Sequence, residues 1–237
     1  MLPTLMDAAS VPSGGPQQRA KLDVELIVSA ALALADREGA PAVTMRRLGA
    51  ELRADPTAVY RHFGNKQALL DAMADHLFEQ ARQEFQLTAD WRANLREIVQ
   101  VGVRLYRSHP GLAIALARQR DDTPTLARTA DLVIGQLRAA GLSDRDAAWA
   151  FHIVIDLVVG TGLFYAVAPE LTDGAERDTM RRTFAALPPE THPHAVAVAA
   201  HLYPDEDDVF AFTVELLLDA IELRAARTAA KTKEEEA

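Results

Sequence analysis

Apolar side chains in this chain return every three or four residues, and no stretch of any length alternates apolar with polar. A repeat of about 3.6 residues buries one stripe of a helix, whereas a half-buried strand needs a repeat of two. The fold class this dictates is all-α. Ile27, Ala30, Ala31 and Leu34 form the first stripe. Asp23 suits an N-cap, Gly39 a C-terminal stop, and Pro41 bars continuation, so a helix is expected over about 23–38. Thr44 then caps a short helix to about residue 52, with Met45, Leu48 and Leu52 facing inward. Arg53-Ala54-Asp55 make a turn. Pro56 opens a helix to about residue 63, whose inward pair is Val59 and Phe63.

A longer helix is expected over about 66–85, on the stripe Leu69, Leu70, Met73, Leu77 and Phe78. At about 1.5 Å per residue it can link a small head to a separate body. Further helices are expected over about 91–108, 112–119, 124–140, 143–168, 176–186, 194–201 and 207–226, each cut off by proline, glycine or a polar break such as 120–122. The helices around Trp149 to Val167 and Val209 to Leu223 are apolar on nearly every side, which predicts burial on more than one side. No apolar run approaches the roughly 20 residues that cross a bilayer. The first residues lack a secretory pattern and read as a disordered arm over 1–20.

The chain carries a net charge of −9 and no cysteine. The second feature excludes disulfides and thiolate metal sites and suits a reducing cytoplasm. The first argues against a chain coated in nucleic acid, but the charge is uneven. Between residues 44 and 66, Arg46, Arg47, Arg53, Arg61 and Lys66 stand against Glu51 and Asp55, an excess of three positive charges. A locally basic segment on an acidic body can hold a polyanion at one place; a solvated basic face has the same composition.

Two short helices joined by a tight turn are the helix-turn-helix unit, whose second helix enters the major groove. Thr44 leaves amide donors at a helix start, where a phosphate oxygen fits. Tyr60, His62 and Lys66 can reach phosphates. Thr57 and Ala58, on the leading turn, are small enough to meet base edges or a thymine methyl, and Arg46 can fork onto guanine or phosphate. The same pattern also occurs in packed helix pairs that bind no DNA.

The residues from 22 to 77 resemble the DNA-binding head of the TetR family of one-component repressors. The resemblance lies in IVSAALAL at Ile27 to Leu34, Gly39, VTMRRLGAEL at Val43 to Leu52, and TAVYRHFGNKQALL at Thr57 to Leu70, including Tyr60-Arg61-His62-Phe63-Gly64-Asn65-Lys66. It implies DNA contacts at Thr44, Arg46, Thr57, Ala58, Tyr60, His62 and Lys66, with Tyr60, His62 and Lys66 on phosphates. One departure matters: the family usually has glycine where Arg53 stands. If that residue needs a positive φ, arginine costs about 1 kcal/mol relative to glycine.

The body resembles the C-terminal domain of the tetracycline-repressor subgroup at Trp91, His109-Pro110, Leu137 to Asp144 and Phe210 to Glu222. That implies a homodimer joined by a four-helix bundle, two helices from each subunit. The subgroup's founding ligand is a magnesium–tetracycline chelate. Leu116 and Phe164 stand where that site uses histidine and glutamate, and neither can bind magnesium. An apolar or aromatic effector is expected instead, with no cofactor and no metal. Tyr106, His109, Leu116, Trp149, His152, Phe164 and Tyr165 are the candidates for lining its pocket, each with ordinary core as the alternative. His152 and Asp156, four apart on one helix face, read as a hydrogen-bonded pair rather than a metal site.

The architecture expected is therefore a three-helix helix-turn-helix head (21–66), a connecting helix (67–85), a helical effector-binding and dimerisation body (86–228) and a charged tail (229–237). The function expected is a cytoplasmic, ligand-responsive regulator, a repressor holding a palindromic double-stranded DNA operator as a homodimer, with no membrane partner. Two other readings stay open: a helical interaction protein without sequence-specific DNA binding, and a small-molecule enzyme. Against the enzyme, no nucleophile–base–orienter set and no glycine-rich phosphate loop is visible.

Overall fold

The computed structural model describes residues 22–84, 86–118, 123–167 and 174–235. The expected arm over 1–20, the polar break at 120–122 and the helix stop at 168–169 lie outside the described residues. Among the described residues there are helices and no strand.

The head is three helices, α1 (Val24–Glu38), α2 (Met45–Glu51) and α3 (Pro56–His62). Each starts on a side-chain cap that the sequence supplies. Asp23 accepts the Leu26 N–H at 2.8 Å, Thr44 accepts that of Arg47 at 3.2 Å, and Asp55 accepts that of Thr57 at 2.8 Å. Gly39 ends α1 at φ 81, a backbone that residues with a Cβ avoid. Ile27, Ala31, Leu34, Val43, Leu48 and Val59 are fully buried and close the head's core.

Helix α4 (Lys66–Gln83) leaves the head and enters the body. Its buried side, Leu69, Met73, Ala74, Leu77 and Ala81, passes from one to the other. The body continues as α5 (Trp91–Ser108), α6 (Ala113–Ala117), α7 (Pro124–Ala139), α8 (Asp144–Val167), α9 (Gly174–Ala185), α10 (Pro193–Val198) and α11 (Glu206–Glu235), with short 3-10 turns at Ala40–Ala42, Pro110–Leu112 and Ala199–His201. Helices α5 and α8 form its closest packing. Gly102 and Gly162 make this possible: a Cβ at either would stand 2.7 Å from Val158 or 2.6 Å from the Tyr106 ring.

Helices α8 and α11 run antiparallel, tied at both ends. Arg224 forks onto Asp146 with two bonds of 2.9 Å, and the Tyr165 hydroxyl donates to the Glu206 carbonyl at 3.1 Å. Arg92 and Arg96 of α5 clamp Glu215 of α11.

Three expectations need correction. Helix α11 runs to Glu235, well past residue 226, because Arg, Ala, Lys and Glu there are all good helix formers. Helix α8 is, by length and composition alone, long and apolar enough to cross a membrane, with mean hydropathy 1.8 over its most apolar stretch. His152 and Asp156 interrupt its apolar run without lowering that average much. Finally, α8 is covered on one side only: Ala147, Val154, Val158 and Gly162 are buried. Trp149, Ile153, Phe164 and Val167 stand exposed, as do Val209, Phe212, Leu216 and Leu223 of α11. Within one chain these helices have a bare apolar side.

Candidate nucleic-acid interface and effector cavity

The turn between α2 and α3 sets the angle at which α3 is presented. It closes by two bonds, Arg53 N–H to the Ala50 carbonyl (3.2 Å) and Ala54 N–H to the Gly49 carbonyl (2.8 Å). This is the Schellman arrangement, with Arg53 in the place that usually takes glycine, and its φ is 51. Gly49 completes the turn: a Cβ there would lie 3.0 Å from the Ala54 oxygen and 3.1 Å from the Pro56 nitrogen, both backbone atoms that cannot swing away.

Helix α3 buries Val59 and seats Phe63 behind it. Thr57, Tyr60, Arg61 and His62 are exposed, Tyr60 by 54%, and Ala58 is half-buried. Tyr60 thus presents its ring on the same face as Arg61 and His62. Arg46, Arg53 and Arg61 are exposed and carry no ion pair among the described residues, whereas Arg37 and Arg47 are tied to Glu51 and Glu38 at 2.8 Å. The free cations are therefore those on the outer side of α2, the turn and α3.

Three of the candidate residues have internal partners, of which the sequence anticipated only the Thr44 cap. The Thr44 hydroxyl is used as the α2 cap. The Thr57 hydroxyl donates to the Asp55 carboxylate at 2.7 Å. That bond and the one from the Thr57 N–H hold the Asp55 carboxyl below its ordinary range. Thr57 thus faces outward as an acceptor. Lys66, half-buried, donates to the carbonyls of Ala40 at 2.9 Å and Pro41 at 3.3 Å, so its ammonium pins α4 to the turn after α1.

The body holds a cavity between α4, α5, α6, α7 and α8, with about 930 Å³ of atom-free space, its open mouth included. Leu105, Leu132, Val154 and Val158 are typical of its walls, and Arg82, Tyr106 and Thr129 are its polar members. Of the seven sequence candidates, Tyr106 and Leu116 line it. The other five do not. Trp149, His152 and Phe164 are exposed on the outer side of α8. Phe164 and Tyr165 border a separate shallow depression with Glu206 and Val209. His109 sits at the junction with the head, its Nδ1 2.9 Å from Asp36. The sequence favoured aromatic residues, but most of this cavity is aliphatic. No spacing points to Arg82 or Thr129; glycine inside apolar helices, at 102 and 162, signals only the close α5–α8 approach beside the cavity.

Two connections run from cavity to head. One is α4, which begins at Lys66 in the head and reaches the cavity at Phe78, Ala81 and Arg82. The other starts at Leu116 in α6 and passes back to the Pro110–Leu112 turn. Gly111 there presses so closely on the end of α1 that a Cβ would meet the Ala35 oxygen at 2.6 Å.

Comparison with known proteins gives a consistent picture. Residues 27–73 match bacterial regulatory proteins of the tetR family, and residues 86–225 match the tetracyclin repressor-like C-terminal domain. Tetracycline repressor protein class G of Vibrio anguillarum is 30% identical over 211 residues, 87% of this chain and 97% of that protein. An HTH-type transcriptional repressor of Streptomyces coeruleorubidus is 27% identical over 234 residues, 95% of this chain and 86% of that one. Among solved structures, the Streptomyces coelicolor TetR family protein ActR in complex with actinorhodin aligns with a TM-score of 0.75 at 26% identity, over 87% of this chain and 99% of that one.

Proposed function

This chain belongs to the tetR family of bacterial regulatory proteins, a family of transcriptional regulators and not of enzymes, and from that premise we propose that it is a repressor holding a palindromic operator as a homodimer and released by an apolar small molecule. The observation that carries the reading is one chain presenting an exposed cationic face on α3 and, at the far end of α4, an apolar cavity.

On DNA, α3 lies in the major groove. Tyr60 and His62 meet phosphates, Thr57 and Ala58 meet base edges, and Arg46 serves either. Thr44 approaches the backbone through the amides at the start of α2. Lys66 acts first as the brace between α4 and the head, and offers its remaining N–H to a phosphate. One head alone covers too little DNA for tight, specific binding, and half-site spacing follows from pairing two.

The second copy docks on the bare side of α8 and α11. Trp149, Ile153 and Phe164 on one helix (steps of 4 and 11), and Val209, Phe212, Leu216 and Leu223 on the other (steps of 3, 4 and 7), each keep to one helical face. That spacing suits a bundle with the same two helices of a partner. The same pairing explains why α8 is apolar enough for a membrane: it is covered by its own chain on one side and by its twin on the other. His152 and Asp156 fall within that interface.

The effector enters the cavity. ActR, which shares the fold, is solved with actinorhodin, and the lining here suits a largely apolar or aromatic molecule. A magnesium–tetracycline chelate does not fit: among the described residues no carboxylate or imidazole lines the cavity, and magnesium needs oxygen donors. The effector shifts the population of head separations, and it can do so only if it binds the DNA-incompetent geometry better. Helix α4 and the Pro110–Leu112 turn are the two elements that carry the shift.

The test is a mobility shift on the chain's own upstream DNA across a salt series. Affinity should fall steeply with salt and weaken in Tyr60→Ala. Affinity indifferent to both would overturn it.

A further inference from the structure

Taking the cavity as the effector site, we propose that its ligand is an acid: a mostly apolar molecule whose anionic group meets Arg82, the more exposed of these two polar lining residues, and whose oxygen meets the buried Tyr106 hydroxyl.

The cavity's polar groups are few, and two of them are only partly used. Tyr106 is 1% exposed, and its ring is held against Gly162. Among the described residues its hydroxyl has no hydrogen-bond partner. Buried hydroxyls are almost always paired, so one that lines a cavity without a mate marks where a ligand oxygen belongs. Burial pushes its phenol up to about 12, so it stays neutral and able to donate at any physiological pH.

Arg82 is held by Glu79, Nε to Oε2 at 3.2 Å and Nη2 to Oε1 at 2.6 Å. That fork fixes the guanidinium plane and leaves Nη1 without a hydrogen bond among the described residues. Glu79 also receives Gln83 at 3.1 Å and Arg128 of α7 at 3.4 Å. Two guanidinium groups therefore share this carboxylate, and an incoming carboxylate gives them a second acceptor. A carboxylate there makes a charge-assisted bond to Nη1, stronger than the bond a neutral acceptor makes. Thr129 donates its hydroxyl to the Thr125 carbonyl and retains only an acceptor, so it does not compete for the acid. Because Arg82 and Glu79 sit on α4 and Arg128 on α7, the acid engages the helix that carries the head.

Three naphthalene probes separate the parts of this proposal: 6-hydroxy-2-naphthoic acid, its methyl ester, and 2-naphthoic acid, each titrated by calorimetry into the full chain. The hydroxy acid should bind at least about tenfold more tightly than the ester. Arg82→Met should erase that preference while leaving the ester's affinity in place, and Arg82→Lys, which keeps a cation, should retain part of it. The hydroxy acid should also exceed 2-naphthoic acid, and Tyr106→Phe should erase that margin. An ester that binds as well as the acid, or an acid preference that survives Arg82→Met, overturns the proposal. Thr129→Trp, which fills the cavity, should abolish all three. Probes that still bind this variant refute the cavity as the site, whatever their order of affinity. No saturable binding to the unaltered chain counts against both.

Discussion

Arg53 is the residue at which the head stores strain, and replacing it with glycine should stabilise the head. Its φ of 51 lies in the left-handed region. An L-residue pays about 1–2 kcal/mol there. Glycine avoids that cost but gives up about 0.4–1 kcal/mol through the freedom of the unfolded chain. Arg53 is exposed, and its side chain makes no hydrogen bond or ion pair among the described residues, so few contacts are lost. The net expectation for Arg53→Gly is a gain of about 0.5–1 kcal/mol. Arg53→Ala keeps the Cβ and should gain nothing. Arg53→Val should lose about 1 kcal/mol or more, since a β-branched side chain tolerates this backbone worst. Amide hydrogen exchange of α2 and α3 is the suitable assay, because it reads the head separately from the body. The order Gly, then Arg and Ala together, then Val is the signature. If Ala stabilises as much as Gly, backbone strain is not what Arg53 carries.

Tyr60→Ala should weaken binding to all DNA sequences alike and leave the thermal midpoint unchanged, since the ring is exposed. Lys66→Ala should lower both, because two carbonyl bonds to a charged donor are lost, about 1–3 kcal/mol; equal melting curves for the two variants would contradict this. Asp55→Ala removes the partner of the Thr57 hydroxyl, frees it as a donor, and should alter base preference in a selection from randomised palindromes; an unchanged consensus argues against Thr57 as a base contact. In Gly162→Ala, the new Cβ meets the Tyr106 ring at 2.6–2.7 Å. Overpacking costs about 1–3 kcal/mol and helix propensity returns about 1, so denaturant unfolding should show up to about 2 kcal/mol of lost stability, and a gain would refute the close α5–α8 contact. Arg96, and then Arg92, hold the Glu215 carboxyl down at about 2, against an ordinary 4.5. A depressed carboxylate stabilises fully above its ordinary value and loses that contribution as pH falls toward its folded one. The thermal midpoint should therefore drop between about pH 5 and pH 2 less steeply in Glu215→Gln than in the unaltered chain; parallel curves would show the clamp to be inert.

What the sequence made legible was local. Asp23, Thr44, Gly39 and Pro56 each act within a few residues of themselves, and the helices of the head begin and end where those residues say. The strain at Arg53 could be anticipated because a turn of fixed shape has one place for glycine. The cavity was not legible in the same way. It is assembled from five helices, and the stripes of α8 look alike whether they face their own chain or a second copy. Trp149 and Phe164 were natural choices for a pocket because they are large and aromatic, yet they belong to the side that a partner would cover. Arg82 gave no sign, since a single arginine on a helix is ordinary until its neighbours are known. The partners of Lys66 and Thr57 were hidden for the same reason: each is a contact made by folding.

Two heads, paired through α8 and α11, should hold one operator. Footprinting of the chain's own upstream DNA, with stoichiometry measured by sedimentation, tests it most directly. Two protected half-sites about one helical turn apart are expected, with two chains per site and loss of the footprint when Phe212→Glu and Leu216→Glu split the pair without unfolding it. A footprint of one half-site bound by one chain, or one that persists in the split protein, would contradict it.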